Sequence, residues 1–117
     1  MQLTITLREV QGITCLDLNG KIILGKESEA LSGQVKELLA ARKKKILLNL
    51  SGVTHLDNTG VGTVVDIFLK VKQQRGKMAL LVPPGPPGPA EERLRYLRLD
   101  TAFEIYDSEA EALASLQ

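Results

Sequence analysis

The residues best suited to chemistry lie in one short stretch, from Thr54 to Gly60. His55 is the only histidine of the chain, and Thr54 and Asp57 are close to it in sequence. A histidine base needs a nucleophile or a substrate within reach, and usually a group that orients it. No Gly-x-Ser-x-Gly motif, phosphate-binding glycine loop or pair of metal ligands accompanies these residues. A lone loop histidine is more often a surface or hydrogen-bonding residue, so we predict no catalytic residue and no metal site.

The segment that starts at Asp57 has a different character. Asp57, Asn58 and Thr59 are all residue types that cap helix N-termini. Gly60 and Gly62 leave the backbone bare at the predicted helix start, where close approach is easy. The segment follows a buried strand and precedes a helix, so we expect it at the carboxyl end of the sheet, where open α/β sheets bind partners. The residues alone leave two alternatives, a capped helix start without function or a functional site.

Composition limits the class of protein. The chain has 117 residues, of which 44% are apolar and 25% charged, as in one globular domain, which we place over residues 1–117. The net charge of +1 and the 3% of aromatic residues give no basis for nucleic-acid or membrane-surface binding. Cys15 is the only cysteine, so we predict a core residue, with no internal disulfide and no zinc. The charged, alternating N-terminus and the absence of a long apolar run predict a cytoplasmic protein.

The apolar pattern predicts the order of the elements. Leu3 to Arg8 and Ile13 to Leu18 alternate around a turn, which indicates an opening hairpin. The remaining predicted elements are a short strand 21–24, a helix 26–42, a buried strand 46–50 with a connection 51–59, a helix 60–75 stopped by Gly76, a strand 78–82, a proline-rich loop 83–89, a helix 90–99, an edge strand 103–106 and a helix 109–116 capped by Ser108. The buried strand, helix and strand at 46–82 form a βαβ unit, so these two strands should be parallel.

The helix predicted over 60–75 has an unusually wide apolar face, which covers about 200° of its circumference. Val61, Val64, Val65, Ile67, Phe68, Leu69 and Val71 form this face. The excess over a single stripe could pack against neighbouring helices, or it could be an exposed strip for a partner.

The chain resembles the STAS domains of anti-sigma-factor antagonists over nearly its whole length. The strongest part of the resemblance is Ile46–Gly62, ILLNLSGVTHLDNTGVG, followed by the helix. Asn19-Gly20 and the stretch Leu97–Ser108, LRLDTAFEIYDS, add to it. The resemblance implies a single α/β domain: a small mixed sheet with an N-terminal hairpin and about four helices packed mainly on one side.

The resemblance also implies a function. Antagonists of this family bind an anti-sigma factor that is also a serine/threonine kinase, and thereby free a sigma factor for transcription. The kinase phosphorylates the hydroxyl residue before the motif glycine, and a phosphatase resets the protein. Carried onto this sequence, Thr59 is the phosphate acceptor, and the predicted partner-binding residues are Asp57, Asn58, Thr59, Gly60, Val61, Val64 and Phe68. No enzymatic activity and no cofactor are expected.

Two positions depart from the family pattern, and several alternatives stay open. Ile23 stands where an acidic residue is frequent, and Asn49 replaces a frequent aspartate. An adaptor or scaffold module in a signalling or transport complex, never phosphorylated, would use the same helix face. Weak nucleotide binding at the amides near Gly60 is a further alternative, and the chain could be a monomer or a weak dimer.

Overall fold

The computed structural model describes residues 3–117, so the first two residues of the predicted domain lie outside the described part. The elements in chain order are β1 (Leu3–Val10), β2 (Ile13–Ile22), α1 (Lys26–Ala40), β3 (Lys45–Leu56), α2 (Asn58–Gln73), β4 (Lys77–Leu81), α3 (Pro89–Tyr96), β5 (Ile105–Tyr106) and α4 (Glu109–Leu116). This is a single α/β domain with a mixed sheet, as the sequence predicts.

The five strands follow one another in the sheet in chain order. β1 and β2 are antiparallel, and each later neighbouring pair is parallel. The turn between β1 and β2 has two residues with positive φ, 55° at Gln11 and 80° at Gly12. Such a turn matches the right-handed twist of the strands it joins. The predicted hairpin and the predicted parallel βαβ unit are both confirmed.

Alternate residues of the central strands face two separate hydrophobic clusters. Leu48 and Leu80 lie in the cluster that contains the buried residues of α1, α2 and α3. Leu47 and Ala79 lie in the other cluster, with the buried residues of α4. Because strand side chains alternate between faces, continuous apolar runs serve both clusters. The prediction of helices mainly on one side is therefore confirmed, with α4 alone on the opposite face.

Two predictions about strands are wrong. Residues 21–24 do not form a third strand, because β2 continues to Ile22 through irregularities in its register beside Gly20, whose φ is 116°. Most of the connection predicted at 51–59 is strand, because β3 stays paired with β2 as far as Ile22 opposite Leu56. Bulges change the side-chain period, so alternation could not reveal this long pair of strands. Asp57 consequently lies directly after the far end of β3.

The helix ends also differ in detail. α2 begins at Asn58 rather than Gly60, and α3 and β5 are shorter than predicted. Gly76 is not the left-handed residue after α2, because that conformation belongs to Arg75, with φ 63°. The N–H of Gly76 donates to the carbonyl of Val71 at 2.8 Å, and a Cβ on Gly76 would lie 2.5 Å from the carbonyl oxygen of Lys44. Glycine is needed there for close approach, not for a left-handed turn. α4 has its predicted bounds and its serine cap.

Candidate functional site

Asp57 links the start of α2 to the loop that follows β2. It is the N-cap of α2, and its Oδ1 accepts a hydrogen bond from the backbone N–H of Gly60 at 2.6 Å. Its Oδ2 accepts a second one from the backbone N–H of Leu24 at 3.0 Å. The ends of β2 and β3 are neighbours in the sheet, since Ile22 pairs with Leu56, and this brings the two segments together. Both carboxylate oxygens of Asp57 therefore stabilise local structure.

Gly60 allows α2 to pack closely against the end of β2. The residue is buried, and a Cβ built on it would lie 2.0 Å from the carbonyl oxygen of Ile22. No side chain larger than hydrogen fits this position without a movement of the helix. Gly62 is exposed, and a Cβ there would meet nothing within 4 Å. Packing within the domain therefore requires glycine at position 60 and not at position 62.

Asn58 and Thr59 are exposed on the first turn of α2. The hydroxyl of Thr59 makes no hydrogen bond to any residue within 3–117, whereas its carbonyl oxygen accepts one from Oγ1 of Thr63 at 3.0 Å. The first backbone N–H groups of a helix have no intrahelical acceptor, and they lie at the positive end of the helix dipole. The structure thus presents a free, accessible hydroxyl on the first turn of α2, at the positive end of the helix dipole.

Arg93 reaches this region from α3. Its Nη2 donates a hydrogen bond to Oδ1 of Asn58, 35 residues away in sequence. Its Nε is buried and has no hydrogen-bond partner among the described residues. Neither Arg93 nor Leu24 was identified from the sequence as part of the site. Both contacts join segments far apart in the chain, and no local pattern signals them.

The wide apolar face of α2 is mostly covered by its neighbours. Val61 is 6% exposed and Val64 is fully buried. Phe68 is partly buried and packs edge-to-face on Phe103, with ring centroids 5.0 Å apart. Leu69, at 51% exposure, is the large apolar residue of α2 that protrudes. Packing against neighbouring helices therefore explains most of the width. Val61 and Val64, two of the predicted partner-binding residues, lie in the core beneath the surface of α2, and their contact with a partner stays a prediction.

A large apolar side chain is also exposed beside the site. Leu24 is 72% exposed, although its backbone N–H is held by Asp57. Ile23, at the position where an acid is frequent in the family, is partly buried. The loop between β2 and α1, which Asp57 holds at Leu24, therefore exposes a large apolar side chain.

His55 is exposed, and its Nδ1 lies 3.0 Å from Oγ1 of the adjacent Thr54. No other side-chain hydrogen bond of His55 occurs within residues 3–117. Cys15 is fully buried, as predicted, and burial raises the pKa of its thiol. Within residues 3–117, no cluster of three or more His, Cys, Asp or Glu side chains could hold a metal ion. None of the helices in that part of the chain is long and apolar enough to cross a membrane.

A second polar cluster lies on the opposite face, beside α4. The guanidinium of Arg8 binds both carboxylate oxygens of Asp17, at 2.6 and 3.0 Å, and Glu109 at 2.7 Å. Nδ2 of Asn49 donates to Oδ1 of Asp17 at 2.9 Å. Hydrogen bonding to Arg8, supported by Asn49, holds the pKa of the Asp17 carboxyl below its usual range. The amide of Asn49 thus donates a hydrogen bond to Asp17, whereas an aspartate at position 49 would repel the Asp17 carboxylate.

Comparison with known proteins agrees with this architecture. The sequence model of the STAS domain matches residues 4–112, so the chain belongs to the STAS domain family. Among curated proteins, no sequence matches this chain significantly.

Several solved structures share the fold. An anti-sigma factor antagonist from Mycobacterium paratuberculosis superposes with a TM-score of 0.83 at 19% identity, over 98% of this chain and 94% of that one. A candidate anti-sigma factor antagonist from Thermotoga maritima gives 0.81 at 26% identity, over 96% and 93%. The Bacillus cell fate determinant SpoIIAA in its phosphorylated form gives 0.71 at 16% identity, over 97% and 100%. The fold of this chain is therefore that of the anti-sigma factor antagonists.

Proposed function

We propose that this STAS domain is an anti-sigma-factor antagonist that is switched by phosphorylation of Thr59. In its unmodified form it binds an anti-sigma factor that is also a serine/threonine kinase, and so regulates sigma-factor-dependent transcription. The observation that carries the proposal is the exposed, unbonded hydroxyl of Thr59 on the first turn of α2. The protein itself acts as a cytoplasmic regulator without catalysis, and a separate phosphatase restores it.

The family and its solved structures support this function. Nearly the whole chain superposes on proteins described as anti-sigma factor antagonists, and one superposed structure is a phosphorylated form. The fold therefore accepts a phosphate in at least one relative. Thr59 is the residue directly before the glycine that packs against Ile22, so its place on α2 is fixed by the close contact at Gly60.

The proposed switch follows from simple electrostatics. The kinase transfers the terminal phosphoryl group of ATP to Oγ1 of Thr59, which loses its proton, and ADP leaves. The phosphothreonine carries a charge of about −1.5 to −2 at neutral pH. The positive end of the α2 dipole tolerates that charge within the domain. In a fitted contact with a partner, the same charge must be paired or rehydrated, and the complex is weakened. The nearby carboxylate of Asp57 adds to the negative potential.

The partner surface is proposed to include Leu24 together with Asn58 and Thr59. Leu24 is 72% exposed and is held next to the acceptor by Asp57. Exposed apolar residues beside a polar rim commonly serve as anchors in protein interfaces. Leu24 directly follows Ile23, the position at which the resemblance implies an acidic residue. Val61 and Val64 support this surface from the core.

A kinase assay tests the proposal. The purified domain is incubated with its cognate anti-sigma kinase and ATP, and phosphate incorporation is followed for wild type, Thr59→Ala and Thr63→Ala. Thr63 is the matched control, because it lies one turn further along the same helix. Loss of phosphorylation in Thr59→Ala alone is the expected result. Equal phosphorylation of Thr59→Ala and wild type would show that Thr59 is not the acceptor. An adaptor that is never phosphorylated would show no incorporation in any form.

A further inference from the structure

Arg93 has an unused hydrogen-bond donor close to the candidate site. Its Nη2 binds Oδ1 of Asn58, the residue next to Thr59. Its Nε–H is buried and has no acceptor among residues 3–117. A buried N–H on a charged group is costly when it is unpaired, so it is usually satisfied in some state of the protein.

We propose that Arg93 is the intramolecular partner of the phosphate on Thr59, and that its guanidinium moves from Asn58 to the phosphate when the site is modified. The inference rests on the proposed function, since it assumes that Thr59 is the acceptor. It assigns a role in the phosphorylated state to α3, which carries no residue of the predicted site.

Two other arginines of the chain, unlike Arg93, are already held by carboxylates. Arg8 is bound to Asp17 and Glu109, and Arg95 is bound to Glu91 on its own helix. Arg93 is bound to a neutral amide oxygen. A guanidinium exchanges a neutral acceptor for a dianion with a gain in free energy, because charge-assisted hydrogen bonds are roughly twice as strong as neutral ones. Arg93 can therefore change partners without breaking an ion pair.

Arg93 already binds the residue that precedes Thr59. Asn58 and Thr59 are consecutive residues on α2, so their Cα atoms are about 3.8 Å apart. Phosphorylation extends the Thr59 side chain and adds three acceptor oxygens. A guanidinium offers donors in a planar fork that fits a phosphate through two parallel hydrogen bonds. One of the two could be the Nε–H that has no acceptor in the unmodified protein.

Titration of the phosphate tests this pairing without any kinase. Phosphothreonine is installed at position 59 during synthesis, and the pH midpoint of its second ionisation is followed by ³¹P NMR. The second ionisation of a free phosphothreonine has its midpoint at about pH 6, and a paired cation lowers that midpoint. Arg93→Gln should therefore raise the midpoint by on the order of half a pH unit relative to wild type. The control, Arg95→Gln, should titrate like wild type because Arg95 is bound to Glu91.

Equal midpoints for wild type and Arg93→Gln would overturn the inference. A second measurement needs no variant at Arg93: the Hε proton of Arg93 should move downfield in the phosphorylated wild-type protein, as its N–H gains an acceptor. An unchanged Hε resonance would also contradict the proposal. Because the phosphate is installed synthetically, both measurements are independent of whether a kinase recognises Thr59. Failure of the Arg93 pairing can therefore be distinguished from failure of the proposed function.

Discussion

The carboxylate of Asp57 accepts a hydrogen bond from the backbone N–H of Gly60 at 2.6 Å, and this contact determines where α2 begins. Thr59 lies between the two residues that make the contact, so its backbone is held from both sides. The second oxygen of Asp57 binds the N–H of Leu24, which ties the exposed leucine to the same point. Asp57 therefore has a structural role in this chain, because it caps α2 and holds the loop after β2.

Replacement of Asp57 should destabilise the domain and loosen the loop at Leu24. We expect Asp57→Ala to lower the free energy of unfolding by about 1–2 kcal/mol, because both the helix cap and the contact to Leu24 are lost. Urea denaturation measures the change. Asp66→Ala is the control, since Asp66 is exposed and makes only an i,i+4 pair with Lys70, and it should cost under about 0.5 kcal/mol. Equal losses for both variants would argue against the cap.

The two glycines of α2 should respond in opposite ways to alanine. Gly60→Ala forces a Cβ to within 2.0 Å of the carbonyl oxygen of Ile22, so we expect a loss on the order of 3 kcal/mol. Gly62→Ala meets nothing within 4 Å and replaces a glycine in a helix, so it should stabilise by about 0.5–1 kcal/mol. Thermal unfolding of both variants measures this. A Gly60→Ala variant as stable as wild type would contradict the close contact between α2 and β2.

Arginine occupies an unfavourable backbone conformation after α2. Arg75 has φ 63°, which glycine adopts without steric cost. We expect Arg75→Gly to raise the free energy of unfolding by about 0.5–1 kcal/mol, as relief of strain exceeds the added flexibility of the unfolded chain. Gln74→Gly, one residue earlier at the helix end, is the control and should destabilise. A loss of stability in Arg75→Gly would show that the arginine side chain matters more than its backbone.

The ion pair of Arg8 with Asp17 should make stability depend on pH. The pKa of Asp17 is lowered in the folded protein, chiefly by hydrogen bonding to Arg8. The ionised Asp17 carboxyl therefore stabilises the fold above its pKa in the unfolded chain, about 3.9. This stabilisation is lost as the pH falls through the lower pKa that Asp17 has in the folded protein. The difference in unfolding free energy between wild type and Arg8→Gln should be clear at neutral pH and should shrink below about pH 4. A difference that stays constant with pH would exclude this ion pair as its source.

The sequence predicted much of the fold because the pattern signals are local. Alternation around Gln11 and Gly12 indicated the hairpin, and the buried runs on either side of α2 indicated the parallel unit. The long pair of β2 and β3 was missed because irregular register disrupts the alternation near Gly20. Gly76 was predicted to stop α2, but the left-handed residue there is Arg75. Glycine is needed at position 76 because its backbone lies close to the carbonyl of Lys44.

For the candidate site, the sequence identified the segment but not its neighbours. The types of Asp57 and Thr59 predicted a capped helix start, and family resemblance suggested the acceptor. The contacts from Leu24 and Arg93 come from residues 33 and 35 positions away, which no local pattern encodes. The burial of Val61 and Val64 depends on how α1 and the sheet pack around α2, and helical periodicity alone cannot tell a covered face from an exposed one.

The affinity of the anti-sigma kinase for the two forms of this protein tests the central claim most directly. Unmodified protein and protein carrying phosphothreonine at position 59 are titrated with the kinase by calorimetry. We expect the phosphorylated form to bind at least about tenfold more weakly, because an added dianion in the contact costs more than 1.4 kcal/mol. Equal affinities of the two forms would contradict a switch at Thr59.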